Sequence, residues 1–325
     1  MNKLETTYAG LKLKNPFIVS SSGLTDSAEK NKKWEDAGAG AVVLKSLFEE
    51  EIEAESAQMQ QEAHAEEMDY LQFYHRAHRL ETYLNLVRET KRVCTIPVIA
   101  SINCYRNADW TEFAKSIEMA GADALQLNIM SVCSDLDYTF GAFEQAHIDI
   151  LKQVKATVNI PVIVKLGSHF TNVVPLVHQL YANGAAAVTL FNRMVSPDIN
   201  LNTMTYTSGE LLGQPAELSE VIRWTGLVSA RVPQLQLSAS GGVADGAAMV
   251  KAILAGATVV EVCSALYRHG ADHIAKSLQF VELWMQKQNY TSLDQFRGSM
   301  NAAKAGAIDT FERTQFFKNY SLRKE

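Results

Sequence analysis

Cysteine, proline and positive charge are all scarce in this chain, and each shortage removes a class of protein. The four cysteines are Cys94, Cys104, Cys133 and Cys263. They form no Cys-x-x-Cys pair and no short Cys/His cluster, which excludes a disulfide scaffold and a structural zinc site and fits a reducing compartment. Lysine and arginine total 30 against 36 acidic residues, for a net charge of −6. No cationic surplus exists to hold a polyanion, so nucleic acid is not an expected partner. No run approaches the ~18 apolar residues of a membrane span. The opening Met1-Asn2-Lys3-Leu4-Glu5-Thr6-Thr7-Tyr8 lacks the apolar core of a secretory signal. A cytoplasmic protein with no membrane partner and no bound metal is the expectation. Seven prolines and 18 glycines are too few for a low-complexity chain.

What the chain does contain is a hydrophobic fraction of 47% over 325 residues, enough to bury a large core, and a concealed repeat. Four apolar segments begin at proline: Pro16–Ser20, Pro97–Ser101, Pro161–Lys165 and Pro233–Leu237. Each leads into a helical pattern that ends at a glycine, Gly38, Gly121, Gly184 or Gly256, with offsets of 22, 24, 23 and 23 residues. Behind each glycine stands a second apolar strand: Ala41–Lys45, Ala124–Asn128, Ala187–Phe191 and Val259–Cys263. Proline opening a strand costs no interior ladder bond, and glycine past a helix supplies the left-handed exit. Short apolar strands joined by helices suit a parallel sheet buried on both faces. Four such units give eight strands, the number that closes a (β/α)8 TIM barrel. A doubly wound open sheet is the alternative, and it lacks this regular alternation.

Several segments lie outside the repeat. Residues 6–14 read as an N-terminal hairpin at the barrel bottom. Insertions follow strands 2 and 6. The first, 47–69, is rich in glutamate and glutamine and is either a solvated helix face or a lid over the strand ends; the second runs from Arg193 to Glu217. A polar tail from about Asn289 packs outside the barrel as a C-terminal helical extension. No linker divides the chain, so residues 1–325 are read as one domain.

In this architecture the chemistry belongs to the C-terminal ends of the strands. These ends carry Ser20-Ser21-Ser22-Gly23, Lys45-Ser46, Asn103, Asn128, Lys165, Asn192-Arg193, Ser238-Ala239-Ser240-Gly241-Gly242 and Cys263-Ser264-Ala265. Gly241-Gly242 lets backbone amides approach an anion, and the loops after strands 7 and 8 are the usual phosphate grip of a barrel. Lysine at a buried strand end is costly unless it meets an anion or an electron-rich ring. Two lysines amid three asparagines fit a flavin, whose reduced form is anionic near N1 and whose pyrimidine edge takes and gives hydrogen bonds. The alternative is that Lys45 and Lys165 each pair with a carboxylate. No Gly-x-Gly-x-x-Gly opens a strand–helix unit, which points to FMN rather than FAD.

From Leu11 to about Gly270 the chain resembles the dihydroorotate dehydrogenase family of FMN barrels. The carriers are Gly10-Leu11-Lys12-Leu13-Lys14-Asn15-Pro16-Phe17, Leu44-Lys45-Ser46, Leu127-Asn128, Val164-Lys165-Leu166, Asn192, Ser240-Gly241-Gly242-Val243, and Gly256-Ala257-Thr258 through Cys263-Ser264-Ala265-Leu266. The resemblance implies that Ser21, Lys45, Asn128 and Lys165 contact the flavin ring or ribityl chain, and that Gly242, Ser264 and Ala265 hold its phosphate. Ser46 and Gly241 stand beside them as further cofactor candidates. Asn103 and Asn192 are candidates for holding a substrate.

The resemblance also implies a catalytic base on the loop after strand 4, where soluble members carry Asn-x-Ser-Cys-Pro-Asn and quinone-linked members Ser-Pro-Asn. Here the chain reads Asn128-Ile129-Met130-Ser131-Val132-Cys133-Ser134. Ser131 takes the base position by count from Asn128, and Cys133, with a reference pKa of about 8.5, is the rival. The orotate-gripping Asn-x-x-Gly-Leu-Pro-Asn after strand 2 is missing, and the acidic stretch and Tyr70 to Tyr74 stand in its place. The flavin half of the site is therefore kept and the substrate half altered. The implied activity is oxidation of dihydroorotate or a related small substrate, with a soluble electron acceptor and a possible homodimer. An FMN reductase or dehydrogenase for another cyclic or enoate substrate, and a flavin-binding subunit without this chemistry, remain the competing readings.

Overall fold

Eight parallel strands close on themselves in the computed structural model of the chain, which describes residues 3–48, 65–103, 109–129, 136–304 and 311–312. The barrel strands are β3 (Phe17–Val19), β4 (Ala41–Val43), β6 (Val98–Asn103), β7 (Ala124–Ile129), β8 (Val162–Gly167), β9 (Ala187–Asn192), β12 (Gln236–Ser240) and β13 (Val259–Val262). Val42 pairs with Val98 and Val260 with Phe17, so the ring has no open edge. The (β/α)8 barrel expected from the repeat is the observed fold. Strand ends differ from the expected ones by one or two residues, and by three at strand 7. Pro233 does not start strand 7, because the Leu235 amide turns back to donate to the Val232 carbonyl at 3.1 Å. The strand begins at Gln236.

Helices fill the crossovers for local reasons. In α1 (Ala28–Asp36) the Ser27 hydroxyl accepts from the Lys30 amide, and Gly38 exits at φ +106. After α2 (Ala65–Val93), α3 (Asp109–Ala120), α4 (Ala142–Thr157), α5 (Val173–Ala182) and α6 (Leu218–Arg231) comes α7 (Gly246–Ala255), capped by Asp245, whose carboxylate accepts from the Ala248 amide at 2.8 Å. The short α8 (Ser264–His269) and the longer α9 (Asp272–Lys287) complete the ring.

Three additions modify the barrel. An antiparallel hairpin, β1 (Thr6–Tyr8) and β2 (Leu11–Leu13), caps its lower end. Tyr8, Ala9 and Leu13 are buried there against Ile18, Ala41, Val43, Ile99, Ala124, Ile163, Ala187 and Val259. A two-residue strand, β5 (Leu47–Phe48), lies beside the end of β6. The insertion after β9 is a hairpin, β10 (Pro197–Asn200) and β11 (Thr205–Ser208), every residue of which is exposed. Most of the first insertion lies outside the described residues until α2 begins. At the C-terminal end, Phe296 is buried against Trp284 and Tyr290. The Gly298 and Met300 amides donate to the last carbonyls of α7.

The alternation along each strand explains how one fold holds both core and site. Successive side chains of a strand point to opposite faces. Phe17 and Val19, Val98, Ala100 and Ile102, Leu125 and Leu127, and Val162, Val164 and Leu166 all join the large cluster under the helices. Their neighbours point inward. On that inner face apolar residues at the bottom give way to polar ones at the top: Ile18 then Ser20, Ile99 then Ser101 and Asn103, Ala124 then Gln126 and Asn128, Ile163 then Lys165, Val259 then Glu261. The stability of the lower barrel and the chemistry of the upper mouth thus come from the same period of two.

Candidate active site

Two adjoining recesses open at the C-terminal ends of the strands, with volumes of about 220 and 230 Å³. They share Ser21, Lys165, Asn192 and Arg193. Joined, they fall within the ~300–1,000 Å³ usual for cofactor and ligand sites.

The first recess is lined by Ser240, Gly241, Gly242, Ser264, Ala265 and Arg268, with Arg193 at its edge. Gly241 and Gly242 have φ of +113 and +68, which only glycine adopts without strain. A methyl on Gly242 would overlap the backbone nitrogen of Leu218. The Ser264 hydroxyl accepts from the Gly213 amide at 2.9 Å, and Arg268 donates to the Gly213 carbonyl at 2.8 Å. The segment before α6 is therefore pinned over this end. Arg193 donates to Glu217 at 3.0 Å, which neutralises that carboxylate. Glycine backbone, serine and two guanidinium groups together suit a phosphate.

The second recess gathers Ser21, Lys45, Ser46, Asn103, Asn128, Lys165 and Asn192 from different strand ends. The Ser21, Ser46 and Ser101 hydroxyls form a chain, at 3.1 and 2.7 Å. Tyr83 of α2 locks it from outside: its hydroxyl donates to the Ser101 carbonyl at 2.9 Å and accepts from the Ser101 amide at 2.7 Å. Asn192 donates to the Asn128 side-chain oxygen at 2.7 Å. Gln126 lies beneath, and its Oε1 is a buried acceptor with no protein partner among the described residues. Amides, hydroxyls and cations around one cavity match the mixed donors and acceptors of a flavin's pyrimidine edge.

Below both recesses the barrel interior holds a charge pair that the sequence alone did not specify. Lys165 donates to Glu261 at 2.9 Å and to the Ser20 hydroxyl at 3.0 Å. Glu261 also accepts from Gln126 and Thr189, each at 2.8 Å. Burial by itself would raise the Glu261 carboxyl. The Lys165 charge and the hydrogen bonds from Lys165, Thr189 and Gln126 outweigh it and hold the carboxyl below the ordinary value. The carboxylate alternative raised for the lysines is thus realised at Lys165, which nevertheless lines the cavity. Of the residues singled out from sequence, the structure brings all the cofactor and substrate candidates to this one mouth. Ser131 and Cys133 lie outside the described residues, as does Cys104. Arg268, Glu261, Gln126 and Tyr83 were missed; a single carboxylate inside Val259-Val260-Glu261-Val262 was the one available signal.

Fold and site define a TIM-barrel protein with a polar, cation-lined cavity at its strand ends. A model of the dihydroorotate dehydrogenase family matches residues 3–282, and the chain belongs to that family. The family is one of flavoprotein oxidoreductases acting on CH–CH groups. The chain is similar to proteins named dihydroorotate dehydrogenase B (NAD(+)), catalytic subunit. That of Thermoplasma volcanium is 25% identical over 305 residues, 92% of this chain and 98% of the relative. That of Methanocella arvoryzae is 30% identical over 283 residues, 82% and 87% of the two chains. That of Bacillus thuringiensis is 26% identical over 273 residues, 82% and 86%. Among the described residues no helix is long and apolar enough to cross a membrane, and no group of His, Cys, Asp and Glu could hold a metal ion.

Proposed function

We propose that the protein is an FMN-dependent oxidoreductase that removes a proton and a hydride from adjacent carbons of dihydroorotate or a closely related substrate. The observation that carries this reading is the continuous cavity, with Gly241, Gly242, Ser264, Ala265, Arg193 and Arg268 at its phosphate end and Lys45, Lys165 and three asparagines at its ring end. When bound, FMN supplies the hydride acceptor N5. Gly242, Ser264 and Ala265 would hold the phosphate, Ser21, Ser46, Asn128, Lys45 and Lys165 the ring and ribityl chain, and Asn103 and Asn192 the substrate. Ser131 or Cys133, which follow β7 in the sequence, would take the proton.

A second reading, reduction or dehydrogenation of another small cyclic or enoate substrate, is favoured by the absent orotate-gripping segment after β4. The relatives' names support a further expectation, that this chain works as a catalytic subunit beside a companion chain and passes electrons to a soluble acceptor. A cytoplasmic setting is the location that suits such an acceptor. Purified protein should be yellow, release FMN rather than FAD on denaturation, and bleach anaerobically with dihydroorotate. A colourless protein that does not take up FMN sinks the proposal. A yellow one bleached only by other reductants moves it to the second reading.

A further inference from the structure

Lys165 is held in an unusually complete setting. Its ammonium has three N–H donors, of which Glu261 and Ser20 take two. The side chain reaches them from β8 while facing the cavity shared by both recesses. Glu261 is held just as fully. One oxygen accepts from Lys165 and from Ser20 at 3.2 Å, the other from Gln126 and Thr189. Three strands, β7, β8 and β9, together with Ser20 just past β3, thus fix one carboxylate on β13. A carboxylate satisfied on every side keeps its charge, whereas a buried lysine with neutral partners alone loses its proton readily.

We infer that Glu261 is a positioning residue that, through Lys165, keeps a protonated ammonium directed at the cofactor cavity across the working pH range. The inference rests on the FMN reading above. The Lys165 charge would favour the flavin's anionic reduced form, and Glu261 would make that bias independent of pH. The other groups around the pair do not substitute for it. Tyr8, below, is kept neutral, its phenol pushed well up by burial and by the Glu261 charge. Cys263, at the end of β13, is pushed up by burial. Lys45 and Arg193 line the same cavity, and Glu217 is engaged by Arg193. Among the described residues Glu261 is the carboxylate that meets Lys165.

The test is the midpoint potential of FMN bound to the full chain, followed from about pH 6 to about pH 9, around the His and thiol range. The wild type should fall by about 30 mV per pH unit, one tenfold step of a two-electron couple accompanied by one proton. In Glu261→Gln, Lys165 loses its carboxylate and its own proton becomes labile. The potential should lie above the wild type at the acid end. It should then steepen toward about 60 mV per unit once reduction takes up a second proton at Lys165. Glu261→Asp should restore the wild-type slope, which a merely structural role would not require. A Glu261→Gln line parallel to the wild type, with FMN bound in both, overturns the inference and leaves the FMN reading intact. So does a wild-type line that itself steepens within this range, a measurement that stands even if Glu261→Gln does not fold. Failure of the wild type to retain FMN overturns both.

Discussion

Glu35 offers the sharpest stability test in the molecule. It sits at the end of α1, and its Oε1 accepts from the Thr95 amide at 2.9 Å, the Ile96 amide at 3.2 Å and the Thr95 hydroxyl. Lys32 donates to the other oxygen at 3.0 Å. The carboxylate thereby ties α1 to the turn that feeds β6. Burial alone would raise its pKa, but the Thr95 bonds and Lys32 prevail and lower it from 4.5 to about 2. At ~1.4 kcal/mol per unit, this drop corresponds to about 3 kcal/mol of stability carried by the ionised form. The folded pKa is depressed, so the contribution is complete above the unfolded value of 4.5 and is lost as pH falls toward 2. Glu35→Gln imitates the protonated state. Urea unfolding at neutral pH should show it less stable than the wild type by up to about 3 kcal/mol, a large share of a typical ~5–15 kcal/mol total. The gap should close as both proteins are carried from pH 4.5 toward 2. A neutral-pH difference below ~0.5 kcal/mol, the range of ordinary surface changes, refutes the argument, and so does a gap that does not narrow in acid.

Gly242→Ala should weaken FMN retention at least ~10-fold, since a left-handed φ costs a non-glycine residue ~1–2 kcal/mol before the Leu218 backbone is displaced. Gly241→Ala carries the same kind of backbone strain, at φ +113, but its methyl meets a Val221 methyl at 3.3 Å rather than the chain's backbone and should do less damage; fluorescence titration with FMN ranks the two, and the opposite order assigns the larger cost to φ rather than to the Leu218 contact. Ser131→Ala should slow anaerobic flavin reduction by ~10² to 10⁴ while Cys133→Ala stays near the wild type. Stopped-flow traces with the reverse pattern assign the base to Cys133, and no effect in either removes the base from this loop. Lys45→Ala should lower FMN content or slow its reduction, as measured by absorbance of the purified protein; unchanged values return Lys45 to a structural role.

Which features the sequence disclosed follows from how locally each is encoded. Pro16, Pro97 and Pro161 precede their strands because the punctuation and the strand it opens are adjacent in the chain. Pro233 misled by three residues because a turn through Leu235 intervenes, and such a turn leaves no trace in an apolar count. The β10–β11 hairpin was invisible for another reason. Pro-Asp-Ile-Asn and Thr-Tyr-Thr-Ser face solvent throughout, so no buried face imposes an alternation. In the site, Lys45, Asn128 and Gly242 were legible from their places at strand ends. The partner of Lys165 was not, because Glu261 lies 96 residues away and only barrel closure brings them together. Arg268 was passed over as a helix residue, although the short α8 turns it back toward Gly213.

The N-terminal hairpin has a bearing on solvent traffic. With Tyr8, Ala9 and Leu13 stoppering the lower end, the polar cluster of Lys165, Glu261, Gln126 and Thr189 communicates with water through the upper mouth. A ligand seated in that mouth would seal the cluster from both directions, like a plug meeting a cork already in place. Labile protons inside, such as the Gln126 amide and the Thr189 hydroxyl, should then exchange with deuterated solvent quickly in the empty protein and slowly in the loaded one. The rate of that exchange is a clock for cofactor occupancy that needs neither colour nor turnover.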